Sequence, residues 1–133
     1  MTPSESAFQT LLGEVAAVGR FGHREHVHLT WLLVRRYGVP DAISLMSHGL
    51  RRTARYAGMP QKYNETLSRA WVELVGHHTE AERDETDFGM FAARHPVLLD
   101  KRLIARFYTP AELASQQART GWVAPDRAPF PWQ

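Results

Sequence analysis

The chain has seven histidines among its 133 residues, and two of them, His23 and His26, stand three apart in a stretch of helical period. At about 100° per residue, His23, His26, Val27, Thr30, Leu33, Val34 and Tyr37 share one arc, while Arg24, Glu25, His28, Arg35 and Arg36 share the opposite one. The periodicity thus turns two imidazoles inward and leaves His28 on the surface. Histidines one turn apart suit two kinds of chemistry. They can pass protons as an acid–base pair, because an imidazole titrates near neutrality, or they can share a metal.

A second polar set surrounds residue 63. On a helix from about Gln61 to His78, Tyr63, Asn64, Leu67, Ala70, Trp71, Leu74 and His78 fall on the inward side. Lys62, Glu65, Arg69 and Glu73 fall on the polar side, with Glu65 and Arg69 spaced for an i,i+4 ion pair. Burying two imidazoles, the Thr30 hydroxyl, an amide and a phenol together costs roughly 1–3 kcal/mol for each group left without a partner. Three readings stay open: mutual hydrogen bonding with a water, a metal site, or a metal-free pocket for acid–base chemistry or ligand recognition. A metal would be one divalent ion (zinc, iron, manganese or copper) on His23 and His26. Asn64, Tyr63 or Glu65 would have to complete a set that usually numbers three or four protein ligands. The other two readings need no cofactor.

The elements that position these residues read as all-α, a compact single-domain bundle of about five to seven helices over residues 1–133. Apolar positions recur at three and four residues, and no segment alternates for long. The spacing predicts helices over about Ser4–Val18, with Gly19 and Gly22 at its exit, then Gly22–Tyr37, Asp41–Ala57 and Gln61–His78. Shorter ones are expected over Phe88–Arg94 and Val97–Phe107, and a last one from the Thr109-Pro110-Ala111-Glu112 capping box to Gly121. Gly38-Val39-Pro40-Asp41 and Gly58-Met59-Pro60 punctuate the long helices, with Asp41 expected as a cap, and acidic Thr79–Asp87 reads as an exposed connection. His77 and His78 are expected to close the fourth helix, where imidazolium suits the dipole. Residues 1–3 read as flexible. Residues 122–133, rich in Pro and Trp, read as an extended strap on the bundle or on a second subunit, as in a homodimer.

Composition excludes several classes. Without cysteine there is no disulfide, thiolate metal site or cysteine nucleophile. No run of residues approaches a membrane span, and the opening residues carry no secretory pattern, so the cytoplasm is the expected compartment. Residues 1–72 carry 9 basic and 5 acidic side chains and residues 73–133 carry 7 and 9, an imbalance too mild to indicate nucleic acid. His48, Arg51, Arg52 and Arg55 share one helix face, which reads mainly as solvated surface. Fourteen arginines against two lysines read as coding bias. No phosphate loop, nucleophile elbow, zinc-protease motif or dinucleotide fingerprint occurs.

The stretch Phe21-Gly22-His23-Arg24-Glu25-His26-Val27-His28-Leu29-Thr30-Trp31, followed by Lys62-Tyr63-Asn64-Glu65-Thr66-Leu67 and Trp71, resembles a functionally uncharacterised family of small helical bacterial proteins. That family carries H-x-x-H-L on one helix and Y-H-E-T on another. The likeness extends to Tyr108 and to Pro125-Asp126. It implies that His23 and His26 meet Tyr63, Glu65 and Thr66 in one site, and it supplies no reaction. This chain departs at Asn64, where the pattern has histidine, which lowers the case for a third metal ligand. The expected function is that of a small enzyme with a pocket between the second and fourth helices, doing lyase, cyclase or isomerase chemistry on a small-molecule substrate. His23, His26, Tyr63 and Asn64 are the catalytic candidates, and Thr30, Glu65, Thr66 and Trp71 the substrate-binding ones. The alternative is a non-catalytic binding or assembly protein with structural histidines.

Overall fold

The computed structural model describes residues 3–16 and 21–133. Among them are seven α-helices and three 3₁₀ turns, and no strand. The helices are α1 Pro3–Val15, α2 His23–Tyr37, α3 Val39–Tyr56, α4 Glu65–Ala81, α5 Phe88–Arg94, α6 Pro110–Ala114 and α7 Gln116–Thr120. The 3₁₀ turns are Pro60–Lys62, Pro96–Leu99 and Lys101–Arg106. Met1, Thr2, Val18 and Gly19 lie outside the described residues.

Helices α2, α3 and α4 pack on one another as the centre of the bundle. α2 is covered on two sides, which is why Leu29, opposite the histidine arc, is as buried as Val27. Val27 and Trp31 join Trp71, Leu74, Phe91 and the C-terminal aromatics in one apolar cluster. Leu29, Leu33 and Val34 join Phe8, Leu11, Val15, Ala42 and Met46 in the other. None of the described helices is long and apolar enough to cross a membrane.

Several boundaries differ from the spacing, each for a local reason. Gly38, at φ 85°, both ends α2 and opens α3, so α3 starts at Val39 and Asp41 lies in its first turn instead of capping it. After Gly58-Met59-Pro60 the chain makes a 3₁₀ turn, and α4 begins only at Glu65 because Asn64 caps it, its Oδ1 accepting from the Leu67 amide at 2.9 Å. α4 then runs past His78 to Ala81, carrying buried Thr79, which bonds back to the Val75 carbonyl at 2.8 Å. The first part of the acidic connection is therefore helix. The Val97–Phe107 helix is instead two 3₁₀ turns broken at Asp100, whose carboxylate accepts from the Arg102 amide at 2.9 Å. The last helix divides at Ser115, whose hydroxyl caps α7 through the Ala118 amide at 3.1 Å.

The strap lies on the chain's own bundle. Phe130 is fully buried, with its ring 5.1 Å from Phe107 and 5.0 Å from Trp132. Thr66 holds the start of the strap: its hydroxyl donates to the Gly121 carbonyl at 2.7 Å and accepts from the Val123 amide at 3.0 Å. Asp126 binds the amide and hydroxyl of Thr109 at 2.8 and 2.7 Å, taking the place the capping box assigns to Glu112.

α1 docks on α3 through a glycine. A Cβ at Gly49 would stand 2.2 Å from Cε1 and Cζ of buried Phe8. Gly49→Ala is expected to destabilise the fold by roughly 1–3 kcal/mol through this overpacking, read as a lower melting temperature with helical circular dichroism retained.

Candidate functional site

A cleft of about 450 Å³ opens between the N-terminal end of α2, the C-terminal part of α3, the start of α4 and the Lys101–Arg106 turn. α2 contributes His23 and His26, and α3 contributes Leu50, Thr53 and Ala54. Leu67, Ser68 and Trp71 of α4 form the inner wall, Lys62, Tyr63 and Asn64 lead into that helix, and Lys101 and Ile104 close the far side.

His23 is anchored. Its Nε2 lies 2.8 Å from the Leu98 carbonyl, which can only accept, so Nε2 carries the proton and Nδ1 has the lone pair. The ring also meets Trp71 edge-on at 4.5 Å. Partial burial, and secondarily the charge of Lys101, lower its pKa, partly opposed by the bond to Leu98 and by Asp100. His26 is in a harsher setting. Its Nε2 is shielded from solvent and has no hydrogen-bond partner among the described residues. Desolvation, with a smaller contribution from His23, lowers its pKa to about 4. The ring centroids are 6.3 Å apart. Both imidazoles are therefore neutral at pH 7, and an arrangement with one held as imidazolium is disfavoured.

Tyr63 and Glu65 meet, but not as two residues of one helix. The Tyr63 hydroxyl donates to Glu65 Oε1 at 2.8 Å, Arg51 donates to the same oxygen at 2.8 Å, and Ser47 donates to Oε2 at 2.9 Å. Burial, followed by the interaction with Glu65, raises the Tyr63 pKa, so the phenol stays protonated. Glu65 thus sits behind Tyr63 with three donors, off the cleft wall and not on the polar face the periodicity assigns. Its expected pairing with Arg69 is absent, because Arg69 turns to Glu73 at 3.5 Å.

The other expected residues divide clearly. Trp71 lines the cleft. Asn64 does too, but its amide is committed at both ends, accepting from Leu67 and donating to the Leu113 carbonyl at 2.8 Å. Thr30 is fully buried and bonds its own helix at the His26 carbonyl, 2.8 Å away, so it lies off the cleft. Thr66 is used by the strap. His28 is half-buried and stacks on Phe88 at 4.1 Å instead of lying free on the surface. The α3 face is not one open cationic surface, since Arg51 turns to Glu65, His48 pairs with Glu5 at 3.2 Å and Arg52 lies 5.7 Å from the Tyr56 ring.

Ser68, Lys62 and Lys101 enter the site without a sequence signal. The Ser68 hydroxyl is buried and has no hydrogen-bond partner among the described residues. Among the described residues, no three His, Asp or Glu side chains gather to hold a metal. His23 and His26 are two nitrogen donors, and the amide and carboxylate expected to complete the set, Asn64 and Glu65, are already engaged. The donor set does not fit a typical protein-held metal. Compared with known proteins, the chain matches no family model, no curated protein and no solved structure, so the likeness seen in the two motifs stands on those residues alone.

Proposed function

We propose that the cleft binds a small molecule and that the chain is an enzyme of lyase, cyclase or isomerase type, with His23 as the proton-transfer group. The observation that carries the reading is His26 Nε2, a shielded polar atom without a partner among the described residues, on a residue that lines the cleft. Leaving such a group unpaired costs roughly 1–3 kcal/mol, a cost that a hydrogen-bonding ligand offsets.

The roles follow from the protonation states. Leu98 fixes His23 in the Nε2–H tautomer, so Nδ1 is the basic atom, and a pKa held below the ordinary 6.5 keeps it free to accept a proton at neutral pH. His23 takes a proton from a substrate carbon or hydroxyl at Nδ1. It returns that proton to another atom of the substrate in an isomerisation, or to the leaving group in an elimination, so the protein ends unchanged. His26 is too weak a base for that step and acts as a neutral hydrogen-bonding partner to the substrate. Tyr63, oriented by Glu65, offers its oxygen as an acceptor.

A reading as a binding protein without turnover draws on the engagement of Asn64, Tyr63 and one nitrogen of His23 with the protein itself. His23→Gln separates the two. Glutamine places an N–H where His23 donates to Leu98 and removes the Nδ1 lone pair. Binding of a cleft ligand is expected to persist, while its turnover, followed by NMR of the reaction mixture, falls by about a hundredfold or more. Unchanged turnover would remove His23 from the mechanism.

A further inference from the structure

Lys62 and Lys101 are the two lysines of the chain, and both line the cleft. They come from separate elements, one closing the Pro60–Lys62 turn and the other opening the Lys101–Arg106 turn. Both are exposed, and among the described residues neither has an ion-pair partner. The carboxylate next to Lys101, on Asp100, is taken by the Arg102 guanidinium at 2.9 Å. Glu65, the carboxylate nearest Tyr63, is taken by Arg51. Among the described residues no Asp or Glu lines the cleft. α2 and α4 also begin at it, each with a glutamate in its first turn, so the uncompensated positive charge at the mouth is that of the two ammonium groups. The inner wall is different in kind: Leu50, Leu67, Trp71 and Ile104 are apolar, with His26 among them.

A cationic mouth above an apolar interior selects a ligand built the same way. We propose that the cleft takes an amphipathic monocarboxylate, its carboxylate held at the mouth by Lys62 and Lys101 and its apolar body against Leu67, Trp71 and Ile104. A multiply charged phosphate ester is disfavoured, because among the described residues no arginine lines the cleft and nothing apolar in such a ligand would cover the inner wall. The proposal rests on reading the cleft as a ligand site, and it names the class of ligand.

The test is calorimetry of the wild-type chain with hexanoate, decanoate and phenylbutyrate, each beside its primary amide. The measurement is repeated with the double variant Lys62→Met/Lys101→Met and with His26→Leu. Acids are expected to bind with Kd below about 1 mM and about tenfold tighter than their amides, a preference that weakens with salt and disappears in the lysine double variant. The two lysines are exposed, so that variant is expected to melt like wild type. Amides binding as well as acids, or an acid preference that survives the double variant, would overturn the proposal. If the same ligands are still lost in His26→Leu, the cleft stands as a ligand site. Absence of binding by every acid would overturn the proposal, and hits of another class that are lost in His26→Leu would then leave the ligand site standing.

Discussion

His26→Leu is expected to make the protein more stable and to abolish ligand binding in the cleft. The wild-type imidazole has its Nε2 shielded and unpartnered, a state that penalises the fold. An apolar side chain of similar reach removes the penalty and meets Leu67 and Trp71 without a polar mismatch. The gain at pH 7 is expected on the order of 1–2 kcal/mol, read as a higher urea midpoint. The difference should widen on acidification. Burial lowers the His26 pKa from 6.5 to about 4, so between those values the unfolded chain binds a proton that the folded chain does not. Protonation of His26 therefore leaves wild-type stability unchanged above about pH 6.5 and lowers it as pH falls towards 4. Leucine has no such loss. The full shift corresponds to about 3 kcal/mol, and because the ring is not wholly enclosed the realised widening is expected nearer 1–2 kcal/mol. His23, whose pKa burial also lowers, is present in both proteins, so the comparison isolates His26. Equal midpoints with equal acid limbs would mean that Nε2 is satisfied in solution.

The second large effect is at the far end of the chain. Phe130→Ala is expected to cost about 3–5 kcal/mol, enough to release the strap at physiological temperature in a domain of this size. Phe130 is fully buried among Phe107, Tyr108, Trp122 and Trp132. The strap has no helix or ladder of its own, so its hold is this ring together with a few hydrogen bonds. The shortest of these runs from Tyr108 to the Val123 carbonyl at 2.6 Å, and Thr66 and Arg127 supply others. Thermal unfolding and limited proteolysis after residue 121 check this. A loss below about 1 kcal/mol would show that the strap contributes little to the core.

The helical class was legible because the apolar positions of α2 and the interior of α4 follow the helical period and because Gly38, Gly58 and Thr109 are strong stop and start signals. The start of α4 was not. Periodicity assigns Asn64 a direction, whereas the residue leaves the helix to cap it, and Tyr63 is thereby taken off the helix altogether. Glu65 lies in the first turn, where the helical wheel puts it in water. The donors that draw it inward, Ser47 and Arg51, come from α3 and leave no trace in the spacing around residue 65. The inward direction of His26 was readable from α2 alone. Its lack of a partner was not, since that depends on what α3 and α4 place opposite it. Lysine scarcity was visible as composition, but its meaning lies in two turns far apart in sequence that fold to one cleft.

The proposed meeting point of this protein and a small molecule is the cleft around His26. The most direct measurement is a small-molecule screen by two-dimensional ¹H–¹⁵N NMR on wild type and His26→Leu. Hits are expected whose shift changes centre on the Trp71 indole, the Ser68 amide and the His26 ring nitrogens, and which vanish in the folded variant. Hits that map elsewhere, or that bind His26→Leu equally well, would contradict it.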